Sequence, residues 1–251
     1  MSALLLIMMM GENIATVDSA DFDGSADYML RGGGLTGAAD SKTGILSVWL
    51  RIDGGDGGIR RVIEGIDGIN TTFARIGSDN KFGIRADNTS GTEILALSSD
   101  TAYTAAATWL HVLMSWNLAT ASGHLYVNDV EDLAAAPTLT DDTIDYTLAN
   151  WGIGSVGLTV PSWNGCMAEL YFAPGQYLDF SNVYYRRKFI SYGGKPVYLG
   201  TDGSLPTGTA PIVYSHLADA EAVANFATNR GTGGDFTITG TLATGSTSPS
   251  D

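Results

Sequence analysis

The stretch FDGSADYMLRGGGLTGAADSKTGILSVWLRI, residues 22–52, decides the fold. It opens on a polar turn (Phe22-Asp23-Gly24-Ser25), reaches an aromatic edge at Tyr28, crosses a glycine-rich loop and ends in an alternating run. In that run Leu46, Val48, Leu50 and Ile52 form one apolar face, while Ser47 and Arg51 point the other way. A period of two belongs to a strand with one face in a core. The same texture continues outward. DGGDGG (53–58) is a turn, followed by RRVIEGI (60–66), TTFARIG (71–77) and, after the SDN break at 78–80, KFGIRAD. There Phe82 and Ile84 share one face, with Lys81 and Arg85 on the other. Short runs broken by Gly, Asn and Asp predict an all-β fold.

The best-defined hairpin joins TWLHVLMSWN (108–117) to GHLYVNDV (123–130) through LATASG (118–123). Leu110, Val112, Met114 and Trp116 line its apolar face, continued by Leu125 and Val127, with Trp109, His111 and Ser115 opposite. Residues 131–143 read as an Ala-rich polar loop broken by Pro137, and 144–156 as a strand region. It leads into SWNGCMAELYFAPG (162–175), where Cys166, Ala168, Leu170 and Phe172 are expected to face inward. LDFSNVYYRRKFISYGG (178–194) changes period. Ser181 as a cap, Val183, Arg187 and Ile190 at helical spacings, and a stop at Gly193-Gly194 predict one short helix near 181–191.

In order and spacing, residues 22–52, 108–130 and 162–175 resemble the concanavalin A-like lectin/glucanase superfamily, especially its laminin-G-like branch. The resemblance covers roughly residues 20–175. It implies an antiparallel β-sandwich of the jelly-roll type. Asn128-Asp129 occupies the place of the family's Asn-Gly turn, with Asp where Gly is usual; Asp enters the left-handed region more readily than most residues. Laminin-G-like modules of secreted animal proteins often carry a bridge near Cys166, but this chain has a single cysteine and departs from that subgroup. The stretches YLGTDGSLPTGTAP and FATNRGTGGDFTITG resemble the tails of virion-associated proteins of bacteriophages and prophages. The expected organisation is a sandwich over 1–194, with an apolar N-terminal strand, and a turn-rich extension over 195–251. That extension is extended in form and packs on the sandwich or on a neighbouring subunit.

At 251 residues the chain is long enough to bury about 70–75% of its unfolded surface, so the core needs no disulfide staple. A net charge of −14 argues against nucleic acid, whose binding requires phosphates to be neutralised, and against anionic membrane surfaces. The apolar run Ala3–Met10 is too short to span a bilayer as a helix and lacks the basic flank and small-residue cleavage site of a signal peptide. It is expected to be a buried strand or to dock on a neighbouring subunit.

Two G-x-G-x-x-G strings occur, Gly32–Gly37 and Gly152–Gly157, but neither sits between a strand and a helix as a dinucleotide site requires. They read as turns. The resemblance implies, for the glucanases, a Glu-x-Asp-x-x-Glu string on one strand, with one carboxylate attacking and one protonating. This chain has none: Glu64 and Asp67 stand alone in RRVIEGID and Glu169 is alone on its strand, so no catalytic residue and no enzyme activity is expected. His111, His124 and His216 are scattered, without a nucleophile elbow.

Many lectin-like sandwiches bind calcium at loop ends. Asp21, Asp23 and Asp27 are the candidate ligands here, with solvated turn aspartates as the preferred reading. No other cofactor is expected. Trp151 and Trp163 lie in or near loops and are candidates to stack on a sugar ring. The leading expectation is a non-enzymatic structural protein of a phage or phage-like particle: a capsid decoration, head spike or tail-fibre-associated subunit. It would reside in the virion and contact other virion proteins or copies of itself. The alternatives are a carbohydrate-binding module for host-surface glycans and, last, a glucanase-type hydrolase.

Overall fold

The computed structural model describes residues 13–251, so the expected role of Ala3–Met10 lies outside the described residues. The alternating run of the opening stretch becomes the middle of the first sheet. In chain order the strands are β1 (Ala20–Asp23), β2 (Tyr28–Gly32), β3 (Thr43–Ile52), β4 (Arg60–Asp67), β5 (Asn70–Ile76) and β6 (Phe82–Asp87). Then come β7 (Glu93–Ser98), β8 (Ala106–Asn117), β9 (Ser122–Val127), β10 (Val130–Glu131), β11 (Thr138–Leu139) and β12 (Asn150–Ile153). The last are β13 (Ser155–Val156), β14 (Val160–Pro161), β15 (Asn164–Pro174), helix α1 (Val183–Arg186), β16 (Val213–Ser215), β17 (Thr237–Thr239) and β18 (Ala243–Thr244).

These form two antiparallel sheets. The first runs β10-β9-β8-β3-β15-β1-β18, with β16 also on β15; the second runs β11-β7-β6-β5-β4-β12-β2-β17, and β13 and β14 form a small ribbon. Leu46, Val48, Leu50, Val112, Met114 and Phe172 of the first sheet meet Ile63, Ala74, Phe82, Ile84, Leu95 and Trp151 of the second in one core. Such inward alternation from both sheets is sandwich packing. Two glycines make room for its largest rings. A Cβ at Gly44 would meet Trp116 at 2.2 Å, and one at Gly65 would meet Trp151 at 2.7 Å. The Trp116 Nε1 donates to the Tyr146 hydroxyl (2.9 Å), so this polar edge is satisfied inside the core.

The outer face of the first sheet is buried as well. Ile45, Leu113, Tyr171 and Ala173 project outward and are covered by Phe180, Phe189, Leu199 and Tyr214. The expected inward set on β15 is therefore corrected in part. Leu170 and Phe172 do face the central core, whereas Ala168 packs with Trp49 and Ile190 on the outer side. The cause is a bulge between Ala168 and Tyr171, with Glu169 at φ 51°; one extra residue inverts the alternation. Cys166 shares the phase of Ala168; its buried sulfur lies toward the outer segment, 3.0 Å from where a Cβ on Gly245 would stand.

The short helix is present but is capped by Asn182, whose side chain accepts from the Tyr184 N–H, not by Ser181. The Ser181 hydroxyl instead donates to Asp179 (2.6 Å). C-terminal strands return to both sheets: β16 on β15, β17 on β2 and β18 on β1. No helix among the described residues is long and apolar enough to cross a membrane.

Candidate functional site

Polar groups under the cover of the first sheet serve packing. Glu169, aimed outward by its bulge, accepts from the Tyr214 hydroxyl (2.8 Å) and is hydrogen-bonded to His216 Nδ1, so it ties β16 to β15. His111 is fully buried, with Nε2 2.9 Å from the Ser47 hydroxyl and its ring 4.7 Å from that of Trp49. Burial pushes its pKa down to about 3, so the imidazole is neutral. Glu64 lies on the other sheet, held by Arg61 Nε (2.8 Å) and the Gly157 N–H (2.6 Å). No two of these carboxylates form the facing pair of a glycosidase.

The three calcium candidates line one shallow hollow with Gly240, Thr241 and Ala243. They are not solvated turn residues alone. Asp23 accepts from the N–H groups of Ser25, Ala26 and Asp27 and from the Ser25 hydroxyl, and these bonds hold its pKa down at about 2. Asp27 is buried and accepts from the N–H groups of Thr241 (2.7 Å) and Asp23. Asp23 thus shapes the turn, and Asp27 ties it to the C-terminal segment. Among the described residues, the one trio of ligating side chains within 4.8 Å of one another is Asp21, Asp53 and Cys166. It suits calcium poorly. Arg51 forks onto both oxygens of Asp53 (2.8 and 2.7 Å), and burial pushes the thiol up to about 12, away from a ligating thiolate.

The tryptophan expectation is corrected. Trp151 and Trp163 are both fully buried; Trp151 faces Phe172 at 5.7 Å and donates its Nε1 to the Leu148 carbonyl. Neither ring offers a face to a sugar. The partly exposed tryptophan is Trp109 on the outer side of β8, which with Trp49, Asn128 and Lys195 lines an open recess near the C-terminus. Its Nε1 donates to Thr247 Oγ1 (3.2 Å).

The outer face of the second sheet carries a cleft. Register sets two rows across it: Arg61, Arg75, Gly83 and Ser98 in one, and Glu64, Phe73, Arg85, Ala96 and Thr138 in the other. Between these rows and the loop 134–138 lies a hollow of about 180 Å³, lined by Arg75, Lys81, Gly83, Arg85, Ser98 and Pro137, with Asp79 its single carboxylate. Gly83 keeps the floor bare, because a Cβ there would meet the Leu97 carbonyl oxygen at 2.8 Å. The Arg61 guanidinium lies 3.6 Å from the Phe73 ring centroid and that of Arg75 5.3 Å from it. Burial lowers the pKa of both arginines, and the neighbouring guanidiniums add to the effect. The Arg75 side chain makes no hydrogen bond or close ion pair among the described residues, Asp79 and Glu93 attracting it only at longer range, and Arg61 Nη1 is buried without an acceptor.

Of these residues, the sequence placed Lys81 and Arg85 on the outer face and missed Arg61, Phe73 and Arg75. The signal for the last two was present, since Phe73 and Arg75 alternate with the buried Ala74 and Ile76. Arg61 was hidden by the bulge between Arg61 and Ile63.

Two packed antiparallel sheets, one roofed and one open, define a jelly roll of the lectin-like class. The chain belongs to the concanavalin A-like lectin/glucanases superfamily, whose laminin-G-type family model matches residues 23–174. No curated protein matches the sequence. Among solved structures, a native heptameric SAP-like pentraxin from Limulus polyphemus is similar, at 11% identity and a TM-score of 0.54, over 91% of this chain and 94% of that one. A protein of Bacteroides ovatus described as a "putative carbohydrate binding protein" is similar at 12% identity and a TM-score of 0.57. That likeness covers 93% of this chain, which spans 61% of the other. Both likenesses are of fold.

Proposed function

We propose that this protein is a non-enzymatic carbohydrate-binding module whose glycan lies in the hollow on the outer face of the second sheet. The observation that carries this reading is the hollow itself: small residues (Gly83, Ala96) form its floor, and convergent donors (Arg75, Lys81, Arg85, Ser98) surround it. Binding sites of this kind use a few placed polar groups to fix a ligand's orientation. A single carboxylate in the lining supports binding over hydrolysis, which needs two. A glycan array, probed with and without millimolar calcium, tests it. The expected result is binding to a restricted set of glycans, lost in Ala96→Trp, which fills the hollow, and retained in Trp109→Ala. A blank array, or release of reducing sugar from β-glucans, contradicts it.

A second reading is a structural role in a phage or phage-like particle, through contacts among copies of this chain. It is supported by apolar side chains left exposed on the cover of the first sheet, among them Val183, Tyr184 (63% exposed) and Leu205 (58%). Sedimentation measures this directly. Self-association that weakens in the double variant Tyr184→Ser, Leu205→Ser is expected, and a monomer at every concentration contradicts it.

A further inference from the structure

We propose that the hollow on the second sheet selects acidic saccharides, through a carboxylate or sulfate group received by Arg75 with Lys81 and Arg85 beside it. The inference rests on the glycan-binding reading and adds the class of ligand.

Arg61 and Arg75 are direct partners across β4 and β5, and like charges at directly opposed positions destabilise a sheet. Arg61 has Glu64 as counter-ion, but Arg75 has none among the described residues. Other arginines do: Arg51 pairs with Asp53, Arg60 with Asp56, Arg186 and Arg187 with Asp129, and Arg230 with Glu221. Arg31, the other arginine without an ion pair, is held by the Gly34 and Asp235 carbonyls and the Thr36 hydroxyl, whereas the Arg75 guanidinium has no such partner and feels Asp79 and Glu93 only at longer range. Its five N–H groups form a fixed fork that suits a planar, two-oxygen anion. The Phe73 ring supports the guanidinium without consuming a donor.

Arg85 does have a partner, Glu93, but both side chains are well exposed, at 48% and 38%. Exposed pairs of that kind contribute little, so an incoming anion displaces Glu93 at small cost. Lys81 reaches the exposed Asp100 only at 3.9 Å, so the lining presents three cations, Arg75, Lys81 and Arg85, against Asp79. The size of the hollow, about 180 Å³, fits one sugar ring with its charged substituent and leaves the rest of a chain along the open sheet.

Affinity electrophoresis in native gels containing polygalacturonate, dextran sulfate or neutral dextran tests the proposal. A protein of net charge −14 is repelled by polyanions, so retardation by one reports a specific site. Retardation by polygalacturonate, by dextran sulfate or by both is the expected result, and the pattern identifies carboxylate or sulfate as the group read. Arg75→Gln should weaken it about tenfold, as for loss of one charge-assisted bond. Its melting temperature should not fall, because repulsion with Arg61 is removed. Ala96→Glu, which supplies Arg85 with an internal carboxylate, should weaken binding likewise without touching Arg75. Retardation by neutral dextran alone overturns the acidic class and leaves glycan binding standing, and unchanged polyanion binding in both variants overturns the assignment of the acidic ligand to this hollow. No retardation in any gel together with a blank array overturns both.

Discussion

His111 sits without charge in a layer that never meets water, and this sets how the protein responds to acid. In the unfolded chain the imidazole takes up a proton near pH 6.5, whereas in the fold it does so only near 3. Between those values the unfolded state holds the extra proton, so stability falls as pH drops from about 6.5 toward 3. Melting curves of the wild type and His111→Gln across pH 7 to 4 should show a shallower acid slope in the variant; parallel slopes would contradict it. Glu169 is a second buried polar residue in this layer. Glu169→Ala leaves the Tyr214 hydroxyl and His216 without their acceptor in a buried place, at an expected cost of about 2–4 kcal/mol in urea unfolding. At this scale the sequence was legible where a residue's partners are local. The turn around Asp23 could be read from Asp-Gly-Ser. The burial of Trp151 could not, because it depends on Gly65 and Phe172, which are remote in the chain.

Strands were legible wherever period two runs unbroken: β3, β6, β8 and β9 carry the faces their alternation predicts. Bulges defeat that reading, since one inserted residue changes the face of everything beyond it. That is why Cys166 and Ala168 were assigned to the wrong side of β15 and why Arg61 was overlooked. The turn between β9 and β10 shows how an element takes a second duty. Asn128 and Asp129 both have positive φ, 50° and 65°, where Gly would be the easier second residue. Asp129 instead receives Arg186 and Arg187, anchoring α1 to the hairpin. Asp129→Gly should therefore relax the turn yet release the helix. Limited proteolysis within 183–195 should become several-fold faster, and an unchanged cleavage pattern would show that the anchor is not needed.

The whole molecule is a sandwich with one sheet roofed by the segment after residue 178 and the other bearing a cleft. Which sheet is covered was not legible, because it depends on where the turn-rich segments after residue 178 settle. Cutting the chain after Gly194 would strip Leu199 and Tyr214 from the layer over Ile45, Leu113, Tyr171 and Ala173 and remove β16 from β15. The truncated protein should be insoluble or oligomeric on size exclusion; a monomer melting like the full chain would show that the two parts are separable. The charge balance could be read from composition, but the unbonded guanidinium of Arg75 emerges only from the pairing of β4, β5 and β6. That guanidinium marks the proposed ligand site. Backbone amide NMR during titration with a bound glycan tests it most directly. Shifts should be confined to β5, β6, β7 and the loop 134–138, with the Arg75 amide among them. Shifts centred on the Trp109 indole and residues 247–249 would contradict it.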